Sequence, residues 1–291
     1  MSVPYSYKSL ADALSRVGIE NAKYEASLLL CRFCDTDRAR LLSDRDKLYT
    51  SDALDAAVLR RLERYPLQYI LGEWEFFGCT FRVDENCLIP RPDTETLVEA
   101  VLQRERLHKE GLLFADLCTG SGCIAVSLLA ILKDSECAAL ELYEKTLDIA
   151  KGNAALNEVQ DRFIPIRADL LCGGASELER VLDEKHRQGF DFIVSNPPYI
   201  PTADISSLEP ELDHEPFAAL DGGDDGLIFY RAIIKDYSRL VRRGGRIYLE
   251  IGADQAEDVG EIAKSELGGC SLTVIKDLGG NDRVVIIELA E

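Results

Sequence analysis

The stretch LLFADLCTGSG, at residues 112–122, decides the fold. Its first six residues form an apolar run of the length of a buried strand. Gly120 and Gly122 then permit tight backbone turns and the close approach of a ligand. An apolar segment over Ile124–Leu132 follows at once and is expected to be helical. The stretch therefore predicts a strand, a ligand-binding loop and a helix in direct succession.

The same succession recurs along the rest of the chain. Further strands are expected at Ala138–Leu142, Phe163–Arg167, Phe190–Val194, Arg246–Glu250, Val274–Lys276 and Val284–Leu289, the last two joined by a hairpin around Gly279–Asn281. Helical segments lie between most of them, with one allowed between Gly252 and about Leu272. Alternation of this kind predicts an α/β fold in which helices cover both faces of a mostly parallel sheet.

The N-terminal quarter has a different pattern. Residues 6–65 carry apolar side chains at helical spacing, and Ser51 is expected to cap a helix that runs through Leu62. Residues 74–83 are aromatic and β-branched around Gly78, which is typical of a hairpin. After two prolines, Asp93 or Thr94 is expected to cap a helix from Glu95 to about His108.

Composition narrows the classes of partner. The 291 residues carry a formal net charge of −19, whereas binding to a nucleic-acid backbone would call for clustered Lys and Arg. The acidity favours a basic or neutral partner or serves solubility, and composition alone leaves both open. No apolar run is long enough to span a bilayer, and Met1–Lys8 lacks the pattern of a signal peptide, so a cytoplasmic protein is expected.

Cysteine usage gives no indication of a metal site. The nine cysteines are scattered, and Cys31 and Cys34 form a CxxC motif with no second pair at zinc-site spacing. Buried or half-buried helix cysteines are the expected reading of that motif, and no metal is expected.

Three acidic residues follow three successive strands beside the glycine loop. Asp116 precedes the loop, Glu141 ends the second strand, and Asp169 follows the third. In an open parallel sheet ligands bind beyond the carboxyl ends of the strands, where an acid can accept hydrogen bonds from ribose hydroxyls. Each acid alone would be read as a solvated loop residue. Together they predict a cofactor with an adenosine moiety and a charged amino-acid tail.

Each part of this cofactor is assigned to particular residues. Glu141 is expected at the ribose, Asp169 at the adenine amino group and Leu170 against the adenine ring. Asp116 is expected to face the cationic end of the tail, directly or through water. The loop residues assigned to the cofactor are Cys118, Thr119, Gly120, Ser121 and Gly122.

The segment after the fourth strand, Ser195–Tyr199, is the most specific motif. An amide nitrogen attacks a methyl sulfonium poorly because its lone pair is delocalised, so both of its N–H groups must be held. The Asn196 side-chain oxygen and the Pro197 carbonyl can each accept one N–H. Pro197 and Pro198 stiffen the segment, and Tyr199 offers a flat face to a planar amide or base. The motif predicts methyl transfer to such a nitrogen, with Asn196 also beside the cofactor.

The whole chain resembles the bacterial release-factor glutamine methyltransferases, the HemK/PrmC family. The resemblance extends from Leu10 to Glu288 and rests on PLQYILG at 66–72, FG at 77–78, IPRPDTE at 89–95, the loop at 116–122, NPPYI at 196–200, EP at 215–216, LDGGDDGL at 220–227, EIG at 250–252 and DRVV at 282–285. Two positions depart from the family pattern: Cys118 replaces the usual Gly, and Glu141 replaces the usual Asp. The residue after Asp169 is often aromatic, whereas this chain has Leu170.

The resemblance implies a fold, a reaction and a partner. It implies a Rossmann-like seven-stranded class I methyltransferase domain over 89–291, a helical substrate-recognition domain over 1–72 and a linking β-hairpin over 73–88. The cofactor would be S-adenosyl-L-methionine, with Arg91 among the substrate contacts. The substrate would be the glutamine of the Gly-Gly-Gln motif in class I peptide chain release factors. We expect a monomer that acts on neither a membrane nor a nucleic acid.

Three other functions remain open. A glutamine methyltransferase of a ribosomal protein would use the same motif, although RPDTE at 91–95 favours the release-factor group. A nucleic-acid adenine N6-methyltransferase would use it on a flipped base. Residues 188–230 contain nine Asp and Glu and no Lys or Arg, which would repel a polyanion. A scaffold that only binds the release factor would not need Asn196 or the cofactor loop.

Overall fold

The computed structural model describes residues 2–106 and 111–290, so the expected helix end at His108 lies outside the described residues. Contacts divide the chain into two units. The smaller comprises Met1–Glu73 and Glu209–His214, and the larger comprises Trp74–Leu208 and Glu215–Glu291. Among the described residues, none of the helices combines the length and apolar character needed to cross a bilayer.

The smaller unit is helical, as the sequence predicts. Its helices are α1 (Tyr7–Arg16), α2 (Ala22–Phe33), α3 (Arg38–Ser43), α4 (Asp52–Leu62) and α5 (Leu67–Leu71). They enclose an apolar core that includes Leu14, Leu30 and Val58. The expected cap of α4 is confirmed, because the Ser51 hydroxyl accepts a hydrogen bond from the Leu54 N–H.

A buried arginine holds the second chain segment of the smaller unit. Arg61 on α4 is only 4% exposed, and its guanidinium pairs with Glu25 at 2.6 Å and with Glu211 at 3.0 Å. Arg64 pairs with the other Glu211 oxygen at 2.7 Å. A guanidinium buried in this way needs its acidic partners, since an uncompensated buried charge is costly. Residues 209–214 are therefore an integral part of this unit.

The predicted hairpin is present as β1 (Glu73–Phe76) and β2 (Cys79–Arg82). Phe77 and Gly78 both have positive φ, which is the geometry of a tight hairpin turn. The Phe77 N–H donates to the Glu95 side chain at 2.9 Å. That contact fixes the turn to the start of the following helix.

Seven strands form one sheet in the order β5-β4-β3-β6-β7-β9-β8. They are β3 (Leu113–Leu117), β4 (Glu136–Glu141), β5 (Phe163–Arg167), β6 (Phe190–Ser195), β7 (Val241–Glu250), β8 (Ser271–Lys276) and β9 (Asp282–Glu288). The first five run parallel, and β9 is antiparallel to both of its neighbours. The predicted class I methyltransferase fold is confirmed. β3 lies where the strand order reverses, which is where open α/β sheets bind ligands.

Helices cover both faces of this sheet. They are α6 (Glu95–Glu105), α7 (Cys123–Ile131), α8 (Glu144–Leu156), α9 (Gly174–Glu184), α10 (Ile228–Ala232) and α11 (Ala256–Leu267). Alternate strand residues point to opposite faces, so Phe114 and Phe192 stack on the face of α6–α8 with ring centroids 4.7 Å apart. Ala115 and Ile193 belong to the core on the face of α9–α11.

Several local predictions were wrong. Neither Asp93 nor Thr94 caps α6, because Pro92–Thr94 already turns as a 3₁₀ helix and continues into it. The Thr94 side chain is used elsewhere, as described below. Helix α9 was not predicted at all, although Leu178, Val181 and Leu182 lie at helical spacing on its buried side. Strand β7 begins at Val241 rather than Arg246, since Arg242 to Gly245 gave no apolar signal.

One buried asparagine joins the hairpin to the loop that follows β3. Asn153 on α8 is fully buried and accepts the Arg82 N–H at 2.8 Å. Its amide donates to the Arg82 carbonyl at 3.0 Å and to the Ser121 carbonyl at 2.8 Å. The Asn153 side chain thereby pairs with the backbone of β2 through both its oxygen and its nitrogen. It also fixes the loop that follows β3.

We predict that Asn153→Ala lowers the free energy of unfolding by about 3 kcal/mol, because it leaves buried backbone groups unsatisfied. Chemical denaturation followed by circular dichroism measures this value. Asn157→Ala is the matched control, since Asn157 donates only to the carbonyls of Thr80 and Asn153 near the surface. A loss of similar size in both variants would contradict the role given to Asn153.

Candidate active site

The carboxyl ends of the parallel strands open into a cavity of about 360 Å³, the size range of small-molecule sites. Ten residues that the sequence assigned to the site line it: Arg91, Cys118, Thr119, Gly120, Ser121, Glu141, Asp169, Leu170, Asn196 and Pro198. The remaining four, Asp116, Gly122, Pro197 and Tyr199, lie outside its wall.

The loop after β3 curls through three residues of positive φ: Cys118 at +59°, Gly120 at +56° and Gly122 at +80°. A side chain at Gly122 would place a Cβ atom 3.2 Å from the Ala150 Cβ, so glycine allows α7 and α8 to pack closely. Cys118 holds a conformation that favours glycine, which is local strain at the cavity wall. Burial raises the pKa of its thiol.

Glu141 at the end of β4 holds this loop. One carboxyl oxygen accepts the Gly120 N–H at 3.0 Å, and the other accepts the Tyr143 N–H at 3.1 Å. Burial raises the pKa of Glu141, and these N–H donors act in the opposite direction. A carboxylate has about four acceptor sites, so the Glu141 carboxyl group can shape the loop and still accept a ligand hydroxyl.

The far wall of the cavity is formed by residues after β5. The Asp169 side chain accepts the Leu171 N–H at 2.8 Å, and the Leu170 carbonyl accepts the Tyr237 hydroxyl at 2.7 Å. Both contacts fix the backbone where Leu170 presents an apolar surface to the cavity. The wall therefore combines a carboxylate with an apolar face, as an aromatic base with an amino group requires.

Asp116 lies behind the loop and is fully buried. The Thr119 hydroxyl, which lines the cavity, donates to Oδ2 at 2.6 Å, whereas Oδ1 has no hydrogen-bond partner among the described residues. Burial raises the pKa of Asp116 to about 7. The carboxyl group is thus linked to the cavity through the Thr119 hydroxyl.

Asn196 follows β6 and lines the cavity. Thr94 and Glu250 lie close to it, and neither was among the predicted site residues. The Asn196 Nδ2 donates to the Thr94 hydroxyl at 3.3 Å, which leaves Oδ1 as the free end of the carboxamide. Behind them lies Glu250, the last residue of β7. Burial raises the pKa of Glu250 to about 7, while hydrogen bonds from Thr94 and Asn196 and the charge of Arg283 lower it.

The signal for Glu250 was present in the sequence. It ends a strand of the parallel sheet, as Glu141 does, and by the same rule its carboxyl group should lie at the ligand edge. Thr94 gave no such signal, because its expected role as a helix cap accounted for its residue type. Its contact with Asn196 joins positions 102 residues apart.

The remainder of the motif after β6 is braced by the segment 220–226. The Ile200 N–H donates to the Leu220 carbonyl at 3.0 Å, and the Gly222 N–H donates to the Ile200 carbonyl at 2.8 Å. A Cβ atom on Gly226 would lie 2.4 Å from the Tyr199 carbonyl oxygen, so only glycine fits there. Burial raises the pKa of Tyr199 to about 12.

Arg91 is engaged by a protein carboxylate. Its guanidinium forms an ion pair with Glu215, whose side chain is buried and also accepts the Ile89 N–H at 3.1 Å. This pair holds the chain just before Pro216–Ala219, which lines the cavity. The expectation of a direct substrate contact by Arg91 stays a prediction, and the structure adds a role in shaping the wall.

No group of three or more His, Cys, Asp or Glu within residues 2–106 and 111–290 could hold a metal ion. The donor set at the cavity instead fits an organic cation with polar hydroxyl and amino groups. It consists of carboxylates at Glu141 and Asp169, the indirectly linked Asp116 and apolar walls.

Two family models match the chain. Residues 7–72 match the PrmC N-terminal domain, and residues 92–208 match the Methyltransferase small domain. Each match falls within one region of the sequence as analysed above, the helical quarter and the strands that build the cavity.

Curated relatives match over nearly the full length. A release factor glutamine methyltransferase of Geobacter sulfurreducens is 41% identical over 276 residues, which cover 94% of this chain and 91% of that protein. That of Thermodesulfovibrio yellowstonii is 37% identical over 268 residues, 91% of each chain. A solved structure of a methyltransferase from Pyrococcus furiosus has a TM-score of 0.53 at 16% identity, covers 81% of this chain and 98% of its own, and supports the fold alone.

The buried Asp116 gives a pH-dependent stability. Its pKa is raised from 3.8 to about 7, so the contribution of this group to stability is complete below pH 3.8 and is lost as pH rises through about 7. Each tenfold change in acid dissociation corresponds to about 1.4 kcal/mol. Because Asp116→Asn removes the titrating group, we predict that its unfolding temperature, measured without added ligand, rises relative to the parent from pH 5 to pH 8.

Asp134→Asn changes an exposed aspartate in the same unit and serves as the control. Its unfolding temperature should follow that of the parent at every pH. A constant offset between Asp116→Asn and the parent over this range would show that Asp116 is already ionised throughout.

Proposed function

Because the chain belongs to the release factor glutamine methyltransferase family, we propose that it methylates the glutamine of the Gly-Gly-Gln motif in class I peptide chain release factors. The methyl group would pass from S-adenosyl-L-methionine to the side-chain amide nitrogen (N5). The observation that carries the proposal is the orientation of Asn196, whose Nδ2 is engaged by Thr94 while Oδ1 is left as the acceptor.

Asn196 and Pro197 would act by holding the substrate amide. The Asn196 Oδ1 accepts one amide N–H and the Pro197 carbonyl accepts the other, which aims the nitrogen lone pair and removes rotational freedom. Neither group needs to take a proton before transfer, since positioning supplies most of the effect. Pro198 lines the cavity and contributes no competing N–H donor.

S-adenosyl-L-methionine supplies an electrophilic methyl group on a cationic sulfonium when it is bound. Glu141 would hold the ribose hydroxyls, Asp169 the adenine amino group and Leu170 the adenine ring. Carboxylates around the cavity suit a cation in surroundings of low dielectric constant. Thr119 would connect the buried Asp116 to the amino-acid tail, directly or through water.

Selection of the release factor requires surface outside the cavity, since one glutamine side chain is like any other. The charge of the chain is divided unevenly. Residues 1–73 contain eleven Lys and Arg and eleven Asp and Glu, so the whole net charge of −19 resides in the remaining residues. We propose that the neutral helical residues 1–73 supply shape-matched contact, and that the acidic stretch Asp204–Asp225 attracts a neutral or basic loop.

Removal of the helical unit would be a poor test of this division. Truncation near Pro66 deletes Arg61 and Arg64, which hold Glu211. The truncated protein would expose that segment and lose more than a recognition surface. Surface substitutions test the same idea without this defect. We place the enzyme in the cytoplasm, together with its substrate, as a monomer.

We predict that Asn196→Ala lowers the rate of glutamine methylation by a factor on the order of 10²–10³. Mass spectrometry of release-factor peptides measures this rate, and calorimetry should find most of the S-adenosyl-L-methionine affinity retained. Asn157→Ala, just after the end of α8, is the control and should methylate at the parent rate. A rate near that of the parent for Asn196→Ala would remove this residue from the mechanism.

The charge proposal gives a second prediction. Asp204 and Asp224 are exposed and belong to no ion pair within the described part of the chain. The double variant Asp204→Asn, Asp224→Asn should reduce kcat/KM for intact release factor at low salt and flatten its decline with ionic strength, because exposed charge attraction is screened over about 8–10 Å.

The double variant Glu261→Gln, Glu266→Gln removes the same charge from the exposed face of α11. It should keep the parent dependence on salt. Equal effects of the two double variants would mean that total charge, rather than the acidic stretch, governs the encounter.

A further inference from the structure

The buried polar side chains of Thr94 and Glu250 lie next to Asn196. Neither belongs to the proposed cofactor site. Thr94 and Glu250 are each 2% exposed. The Thr94 hydroxyl accepts a hydrogen bond from the Asn196 Nδ2 at 3.3 Å, and both side chains lie close enough to the Glu250 carboxyl group to lower its pKa. The Glu250 Oε2 atom has no hydrogen-bond partner among the described residues. The protein therefore buries a carboxyl group, at a cost in folding free energy, next to the residue that would hold the substrate.

The charged and titratable neighbours of Glu250 come from every element around it. Arg283 on β9 and Asp93 before α6 act on it with opposite sign. The hydroxyl-bearing rings of Tyr199 and Tyr230 and the thiol of Cys123 also face it. Arg283 is shared, since it pairs with Asp277 at 3.1 Å and with Asp93 at 3.5 Å and donates to the Ile251 carbonyl. The charge of Arg283 therefore lowers the pKa of Glu250, although its own ion pairs are with Asp277 and Asp93.

We propose that Glu250 and Thr94 are positioning residues for the methyl transfer, and that they fix which end of the Asn196 carboxamide faces the substrate. The inference rests on the proposed function only for its kinetic consequence. The orientation itself is a property of the three side chains.

The direction of the hydrogen bonds follows from the donor inventory. An ionised carboxylate only accepts, so a Thr94 hydroxyl that bonds to Glu250 donates its one proton to it. The Thr94 oxygen is then an acceptor toward Asn196, which turns Nδ2 toward Thr94 and Oδ1 toward the cavity. With the chain of bonds running in this direction, Oδ1 is the acceptor that a substrate N–H requires.

Protonation of Glu250 would remove this constraint. A carboxylic acid can donate to the Thr94 oxygen, which frees the Thr94 proton for the Asn196 Oδ1. The carboxamide can then turn over and present Nδ2, a donor, to a substrate N–H. Burial raises the pKa of Glu250 to about 7 in the ligand-free protein, and a bound cation would lower it. The constraint therefore strengthens as pH rises through this range.

The pair Thr94→Val and Thr94→Ser separates the hydroxyl from the shape of the side chain. Thr94→Val keeps the volume and loses the hydroxyl, so kcat for release-factor methylation should fall about 10- to 100-fold, as for other groups that orient a ligand-binding residue. Thr94→Ser should retain most of kcat. Calorimetric affinity for S-adenosyl-L-methionine and KM for release factor should change little in either variant, whereas general damage to the fold would alter both.

Glu250→Gln tests the charge. The parent kcat should fall as pH is lowered below the pKa of Glu250, because protonation releases the Asn196 carboxamide. The variant should have the low rate at every pH between about 5.5 and 8, so its kcat should not depend on the titration of residue 250. Thermal unfolding of each variant verifies that it is folded.

Nuclear magnetic resonance of the Asn196 side-chain amide gives a readout that needs no substrate. Its protons should exchange slowly with solvent in the parent and in Thr94→Ser, and quickly in Thr94→Val. Equal exchange and equal kcat in the two Thr94 variants would overturn the positioning role. Slow exchange in a parent that fails to methylate release factor would retain the positioning role and refute the proposed function instead.

Discussion

A parallel sheet brings the carboxyl ends of its strands to one edge, and the candidate site depends on that constraint. β3 supplies the glycine-containing loop, β4 supplies Glu141, and β6 and β7 supply Asn196 and Glu250. These residues are far apart in sequence, yet the strand registers place the loop, Glu141 and Asn196 on the wall of one cavity and bring Glu250 close to Asn196. The two faces of the sheet are sealed by helices, so the edge is where polar groups can meet a ligand.

Buried carboxyl groups give this cavity its electrostatic character. Asp116 and Glu250 each lie next to a residue that lines it, each almost fully buried and each with a carboxyl oxygen that lacks a partner among the described residues. Burial makes the ionised form of each group unfavourable in the protein alone, and this raises the pKa of both to about 7. A cationic ligand would offset part of this cost. The site therefore favours a sulfonium cofactor for the same reason that it disfavours a polyanionic substrate.

The sequence predicted the parts of the site that have a local signature. The βα loop and the acids at strand ends were found because strand, turn and helix patterns are read within short windows. The role of Thr94 could not be found in this way, since it depends on contacts with Asn196 and Glu250 that only the folded chain brings together. Helix α9 was missed although its local signature, with Leu178, Val181 and Leu182 at helical spacing, is present in the sequence.

A release factor glutamine methyltransferase transfers the methyl group to a carboxamide nitrogen of a release factor. Tandem mass spectrometry of a purified class I release factor, after incubation with the enzyme and S-adenosyl-L-methionine, detects this product. We expect one added methyl group on the side-chain nitrogen of the glutamine in the Gly-Gly-Gln motif, and none elsewhere in the release factor. An unmodified motif, with methyl transfer to a ribosomal protein or to adenine in a nucleic acid under the same conditions, would contradict it.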